Sequence, residues 1–396
     1  MTVDIGIDWS RKKHDVVITD AKGKRVSAGT MPHSREGFAQ LGVSHQECRV
    51  GLETAYTLRI DYLWQVGYEQ VYVIQPNIVN KSRGRYRQSG AYDDQRDAYV
   101  ISDLLRTDGH RFLPWHPGSV RLQQLRSTVS FGQFLTKQSV SQANRLDAVL
   151  SRYYPAARAV FSWPSPIACH FLLAYPTPQT SRTLSYDAFC GFAKQHGHRQ
   201  PATWFNAYER LQANYPQAAP AIITAYQTQA TPLAQMLLQT LTQKSATLAQ
   251  LQTRFEQHEN ASLFASLPGA GQLLAPALLV KFGEDLVRFP TAATVQMLAG
   301  TAPITQRSGK VNHVAFRRTC DKDFRSFAQQ FAWTSLAQSP WAKAYFQAAA
   351  QRRHSFNPAL RCLANRWLAI IWKMWHDHKP YDEAFHLQQR LARRRA

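Results

Sequence analysis

Residues 3 to 19 read VDIGIDWSRKKHDVVIT: two apolar runs with β-branched residues at alternate positions, split by a short polar turn. That alternation is the signature of a β-hairpin, and it puts a strand at the very start of the fold. Asp8 closes the first run at the strand's exit. Apolar neighbours do not tolerate an unpaired carboxylate, so Asp8 needs a partner, a cation, or the plainer role of capping the turn.

Three later acids bear on that choice. Glu53 ends a second candidate strand, CRVGLE over 48–53, and Asp94 and Asp97 lie in AYDDQRDAYVISDLL, which reads as a helix. A spacing of three places both helical carboxylates on one face. Two strand-end acids and one helical pair make a donor set suited to a hard cation such as Mg²⁺, which takes oxygen ligands and keeps several waters. Without a cation the four would repel and some would hold protons.

The run DIGIDWSRKKHDV, then GLE, then DDQRDA ahead of a helix, resembles the N-terminal domain of the DEDD-type insertion-sequence transposases, a family that includes the pilin-gene invertases and the bridge-RNA-guided recombinases. The resemblance implies an RNase H-like α/β fold of the Holliday-junction-resolvase kind, with Asp8, Glu53, Asp94 and Asp97 as the catalytic, Mg²⁺-binding tetrad. The family has a Lys-Thr pair before the third acid where this chain has Tyr92-Asp93, so Asp93 rivals Asp94. The three-residue step to Asp97 favours Asp94.

Composition narrows the partners. The chain has 396 residues with 47 Lys and Arg against 26 Asp and Glu, a formal charge of +21. Such an excess points to a polyanion, above all nucleic acid. No apolar run reaches membrane-spanning length and no signal peptide is evident, so neither a membrane partner nor export is expected. Five scattered cysteines without a CxxC pair suit reduced thiols in a cytoplasmic protein.

Strands are expected at 3–8, 13–19, 24–31, 47–53 and 70–75, with helices at 35–42, 56–66 and 93–107, which makes residues 1–112 an α/β domain. Residues 77–88, NIVNKSRGRYRQ, carry Lys81, Arg83, Arg85 and Arg87 around Tyr86. They read either as a mobile loop gripping a nucleic-acid backbone, with Tyr86 as a stacking face, or as a solvated surface loop. Residues 113–260 form a helical, coiled-coil region. One long helix fits 119–152, with Gly132 as its weak point. A second fits 232–255, where Ala234, Leu237, Leu241, Leu248, Leu251 and Phe255 keep a three-four rhythm suited to a partner chain or to the first helix. Proline-punctuated residues at about 155–232 read as an insertion.

Residues 261–396 form a mostly α C-terminal domain. Leu267-Pro-Gly-Ala-Gly271 precedes an apolar helix and resembles a helix-hairpin-helix turn, in which Gly269 and Gly271 would let backbone approach a phosphate; a plain tight turn is the alternative. The stretch FGEDLVRFPTAATVQMLAGTAPITQRSGK then resembles the C-terminal domain of the same transposases, and its Ser308-Gly309 pair takes the place of the family's nucleophilic serine. Arg307, Lys310, Arg317 and Arg318 crowd this region and suit phosphate contacts. Helices fit 326–338, 341–353 and 358–376, with Trp372 and Trp375 either stacking on bases or buried, and Arg390 to Arg395 read as a flexible arm.

These features imply a site-specific recombinase that cuts and rejoins donor and target double-stranded DNA through a transient phosphoserine link. Strand exchange needs at least two serines, so a dimer or tetramer is expected, and by the same resemblance a structured noncoding RNA would guide it. A Mg²⁺-dependent nuclease using water, and a non-catalytic nucleic-acid-binding protein, are the alternatives.

Overall fold

The computed structural model describes residues 3–10, 12–39, 41, 48–53, 57–86, 94–309, 311–353 and 355–395. The chain divides into two compact units, residues 1–118 and 119–396.

The first unit is built on β1 (Val3–Trp9), β2 (Lys13–Thr19) and β3 (Arg25–Pro32), followed by α1 (Arg35–Ala39), β4 (Cys48–Leu52), α2 (Thr57–Gln65), β5 (Val71–Val73), α3 (Pro76–Arg83) and α4 (Asp94–Asp108). The strands form one mixed sheet in the order β3-β2-β1-β4-β5. β1, β2 and β3 pair antiparallel, whereas β4 lies parallel to both β1 and β5. An antiparallel meander continued by parallel strands is the arrangement of an RNase H-like sheet.

Alternation along β1 sorts its side chains. Ile5 and Ile7 are fully buried in one core with Phe38, Ile60 and Leu63. Asp4, Gly6 and Asp8 take the opposite face. There α4 lies directly on the strand, because Gly6 has no side chain: a Cβ would stand 1.9 Å from the Ala98 carbonyl oxygen. Gly51, paired with Gly6 across β4, repeats the device, since its Cβ would meet Ile101 at 2.7 Å. The two glycines set the depth at which the acidic helix sits.

The expected loop at 77–88 is different in the structure, because residues 76–83 form α3. Pro76 opens the helix at its first turn, where a missing N–H costs nothing, and Val79 anchors it in the core with Leu104 and Leu105. Pro76 at the first turn and one buried valine outweigh the basic, Gly-containing character of the segment.

The second unit begins with α5 (Val120–Tyr153), capped by Ser119 through its oxygen and the Leu122 amide. Then come α6 (Pro155–Val160), α7 (Pro166–Ala174), α8 (Pro178–Arg182), α9 (Tyr186–Gln195), α10 (Trp204–Gln212) and α11 (Pro220–Glu256). The second long helix thus starts at Pro220, ahead of the expected 232, and Pro232 lies inside it with its ring exposed. α11 runs antiparallel to α5: Arg121 donates to the Gln257 carbonyl at one end, Gly132 faces Thr247 in the middle, and Arg152 stands over Tyr226 at the other. Gly132 is not a break but a close-approach point for Thr247 and Leu273. The apolar seam of 234–255 is covered within the chain. Residues 155–212 make a second core with Leu146, Val149, Leu150 and Leu237 of the long pair.

Beyond it lie α12 (Ala261–Ala265), α13 (Gly271–Phe282), α14 (Ala292–Leu298), β6 (Ile304–Ser308), β7 (Val311–Ala315), α15 (Lys322–Ser335), α16 (Pro340–Arg353), α17 (Phe356–His376) and α18 (Glu383–Arg395). Their core gathers Phe282, Phe324, Phe331, Trp367 and Trp375. Trp375 is buried and donates to the Gly283 carbonyl, and Trp372 to that of Phe289, so these rings hold the fold together. The basic tail, expected as a flexible arm, continues α18. Among the described residues no helix is long and apolar enough to cross a membrane.

Candidate active site

The sheet unit brings Asp8, Glu53, Asp94 and Asp97 into one electrostatic neighbourhood. Asp8 is half-buried at the end of β1, and its Oδ1 accepts from the Trp9 amide at 2.9 Å. Burial pushes its carboxyl up to about 6 against that hydrogen bond, and the charges of Asp97, Asp94 and Glu53 push the same way. Glu53 follows β4 one step beyond the Ile7–Leu52 pair, level with Asp8 on the neighbouring strand. Burial raises its carboxyl too, the Arg83 charge lowers it, and Asp97 raises it. Asp94 is the exposed first residue of α4, and Asp97 is buried one turn on. The positive end of that helix favours both. Asp93 lies outside the described residues.

Arg83 enters this group from the end of α3. Its Nε donates to Asp97 Oδ1 at 2.7 Å and its Nη2 to Oδ2 at 2.6 Å, a two-pronged contact. The donor set has the chemistry of a hard-cation site: carboxylate oxygens only, with the proton affinities of Asp8 and Glu53 raised first by burial and then by neighbouring acids. Among the described residues, however, no three His, Cys, Asp or Glu side chains are drawn close enough to hold a metal ion. A guanidinium supplies the positive charge instead.

The other basic residues of this segment have defined places. Lys81 is on α3, Arg85 reaches Asp108 at 3.5 Å, and Arg87 lies outside the described residues. Tyr86 donates its hydroxyl to Asp103 and meets the edge of Tyr99, so the ring expected to stack on bases packs within the unit.

In the second unit Ser308 is on a strand. β6 and β7 form a two-stranded ribbon in which Ser308 pairs with Val311. Gly309 follows at φ +54°, the left-handed conformation that tight hairpin turns require and glycine supplies. Thr305, Gln306, Arg307 and Ser308 are all exposed. Such a strand has no apolar alternation, which is why sequence periodicity missed it. Among the described residues the Ser308 hydroxyl has no hydrogen-bond partner. Lys310 lies outside the described residues.

Gly269 and Gly271 differ. Gly269, at φ +76°, packs against α15, where a Cβ would come 2.6 Å from the Thr334 carbonyl oxygen. Gly271, at φ +57°, faces open space at the start of α13 and is the one free for close approach by a ligand. At the foot of the hairpin, exposed Phe316 carries the guanidinium of Arg325 at 4.8 Å and that of Arg361 at 4.1 Å from its ring centre. Arg317 donates to the Ala302 carbonyl, and Arg318 is exposed. Among the described residues Arg307, Arg317, Arg318 and Arg325 enter no ion pair, while the nearby Asp321 and Asp323 are held by Lys281 and Lys137. Sequence reasoning missed the Phe316 platform, because Arg361 comes from a helix far along the chain.

Residues 5–155 match a family model of the DEDD transposase domain of IS110-type elements, and residues 261–347 match that of transposases of the IS116/IS110/IS902 family. The "Mini-circle putative transposase for IS117" of Streptomyces coelicolor is 27% identical, covering 97% of this chain and 96% of its own length. The "Insertion element IS900 uncharacterized 42 kDa protein" of Mycobacterium paratuberculosis is 25% identical, over 96% and 97% respectively. The "Insertion element IS110 uncharacterized 43.6 kDa protein" of Streptomyces coelicolor is 25% identical over 74% of this chain and 72% of its own. With two models of one family covering more than half its length, an RNase H-like sheet carrying four grouped acids, and relatives aligned from end to end, the chain belongs to the IS116/IS110/IS902 family of transposases.

Proposed function

We propose that this transposase is a site-specific recombinase that moves an insertion sequence by serine chemistry supported by an acidic metal site. The observation that carries the reading is the grouping of Asp8 with the charges of Asp97, Asp94 and Glu53 at the strand exits, an all-carboxylate donor set in which Arg83 is the counter-ion of Asp97. Asp8, Glu53, Asp94 and Asp97 would hold Mg²⁺, which when bound polarises the scissile phosphate and stabilises charge on its oxygens. Ser308 Oγ attacks the phosphorus, forming a phosphoserine bond as the bond to the DNA 3′-oxygen breaks. The serine proton leaves to solvent or a base, and the 3′-oxygen departs as a hydroxyl. A 3′-hydroxyl from another strand then attacks the phosphoserine and frees Ser308, so one phosphate ester is exchanged for another without ATP.

Among the described residues the Ser308 hydroxyl bonds to no base, and a serine hydroxyl is a weak nucleophile unaided. This supports activation by groups brought from the acidic unit, of the same subunit or of another. Exchange between two duplexes uses at least two serines, which suits a dimer or tetramer. Residues 1–112 serve as the acidic domain, 113–260 as the helical connector with its insertion at 155–232, and 261–396 as the serine-bearing domain. Arg307, Lys310, Arg317, Arg318 and the Phe316 platform grip the DNA backbone. Lys81, Arg83, Arg85, Arg87 and Gly271 add further phosphate contacts, while Gly269 serves the packing against α15. A structured noncoding RNA supplies target choice, and the protein works in the cytoplasm; the charge of +21 suits both polyanions.

The test is a covalent adduct. Full-length protein is incubated with labelled donor DNA, Mg²⁺ and RNA transcribed from the element's flanks, then denatured. DNA shifted with protein in the wild type, and lost in both Ser308→Ala and Asp97→Ala, is the expected result. Cleavage without an adduct, unaffected by Ser308→Ala, would replace this reading with a nuclease that uses water.

A further inference from the structure

We propose that Arg83 is a positioning residue that couples cation binding at the acidic tetrad to the binding of a nucleic-acid phosphate, acting as the tetrad's own counter-ion until a phosphate draws it away. The inference rests on the reading of the tetrad as a cation site.

The geometry carries it. Arg83 engages both oxygens of Asp97 at once, at 2.7 and 2.6 Å, and its remaining Nη1 is held by Asn80 on the same helix. Asp97 is the most deeply placed of the four acids, at 9% exposure. A cation approaching its carboxylate along that edge meets a positive charge in a fixed planar fork. Cation and guanidinium therefore compete for one carboxylate.

The arginine is also placed to leave. It is the last residue of α3, with Gly84 next, and its side chain keeps 25% exposure. α3 has other anchors. Val79 is fully buried, Tyr86 is bonded to Asp103, and Arg85 reaches Asp108. The helix end stays in place while one side chain swings. Lys81 and Arg85 flank the position, so an arriving phosphate finds a basic edge that prefers it to an inward carboxylate contact.

Linkage then fixes the behaviour. If phosphate removes Arg83 from Asp97, nucleic acid tightens cation binding, and a bound cation tightens nucleic-acid binding by the same factor. The acidic site would be loaded only where DNA or RNA is present.

The experiment measures Mn²⁺ binding to the full-length protein by electron paramagnetic resonance, with and without a short DNA duplex. Arg83→Gln should bind Mn²⁺ about tenfold tighter than wild type in the absence of DNA, the scale of a lost charge-assisted hydrogen-bond pair. DNA should tighten Mn²⁺ binding to the wild type but not to Arg83→Gln. Arg83→Lys, which keeps the charge but not the fork, should fall between them. Arg111→Gln, which removes an exposed charge elsewhere in the unit, should behave as wild type. Equal Mn²⁺ binding by wild type and Arg83→Gln, or an unchanged DNA effect, overturns the coupling while Asp97→Asn still losing Mn²⁺ leaves the tetrad reading intact. Mn²⁺ binding that survives Asp97→Asn overturns both.

Discussion

The two regions that carry the proposed chemistry are built in opposite ways. The acids sit where a helix is pressed onto a sheet, with Gly6 and Gly51 removing the side chains that would hold them apart. Ser308 sits at the end of an exposed two-stranded ribbon, next to a glycine whose Cβ would meet nothing within 4 Å. Metal-type chemistry needs several oxygens fixed at once, which only packed elements provide. A nucleophile has to reach into a substrate, which a projecting hairpin does better. Rigid placement on one side and presentation on the other follow from those demands.

That contrast can be broken by experiment. The largest effect is expected on chemistry: Asp8→Ala and Asp97→Ala should each lower strand cleavage by about a thousandfold or more, on the scale seen when transition-state charge stabilisation is lost. With cation withheld, DNA retention on a filter should stay near wild type for Asp8→Ala. Ser308→Ala should abolish the adduct with no change in thermal unfolding, because among the described residues its exposed hydroxyl bonds to nothing. A fall in melting temperature for Ser308→Ala would mean that the ribbon is not merely presented.

Next comes packing. Gly6→Ala forces a Cβ against the Ala98 carbonyl and the Ser102 amide, both backbone, and should cost about 3 kcal/mol, the upper range for an overpacked core. Hydrogen exchange should accelerate throughout β1 and α4 but not in residues 119–396. Gly309→Ala meets no atom and only the left-handed backbone penalty of about 1–2 kcal/mol. Its exchange should accelerate in 304–315 alone. Equal global destabilisation by the two would erase the distinction.

The smallest effects are in pH, and they carry opposite signs. Asp8 has a folded pKa raised from 3.8 to about 6, so its folded form binds the proton more tightly. Its contribution therefore falls as pH rises through that window and is unfavourable above it. Asp8→Asn should stabilise the sheet unit at pH 8 by roughly 2 kcal/mol and lose this advantage below pH 4. Glu284 is the reverse: burial opposes its charge, but the hydroxyl and amide of Ser119 and the ring of His258 outweigh that and lower its pKa. Its stabilisation is complete above the unfolded value and is lost as pH falls through the folded one. Glu284→Gln should weaken the helical unit at neutral pH and not in acid. Urea midpoints followed by hydrogen exchange in each unit report both.

Much of the first unit was legible because its strands alternate and its acids stand at element ends. All five strands and the acidic helix fall within a few residues of where periodicity puts them. Residues 76–83 were not legible as a helix, because Lys81, Arg83 and Gly84 mask the one buried contact, Val79, that fixes them. The ribbon of Ser308 was hidden for a related reason: strands exposed on both faces leave no period of two. The start of α11 was misplaced by Pro232, whose ring points to solvent and so does not end the helix.

The order of apolar and β-branched residues by itself determined that the chain begins with a sheet, ends in helices, and carries carboxylates at the strand exits, because those patterns are local. Its charge of +21 pointed to a polyanion as partner. Only the tertiary structure decided that Asp8, Glu53, Asp94 and Asp97 feel one another, that Arg83 closes on Asp97, and that Arg325 and Arg361 meet over Phe316. Electrostatic neighbours are set by which elements pack together, and spacing along a chain does not record distances across a sheet.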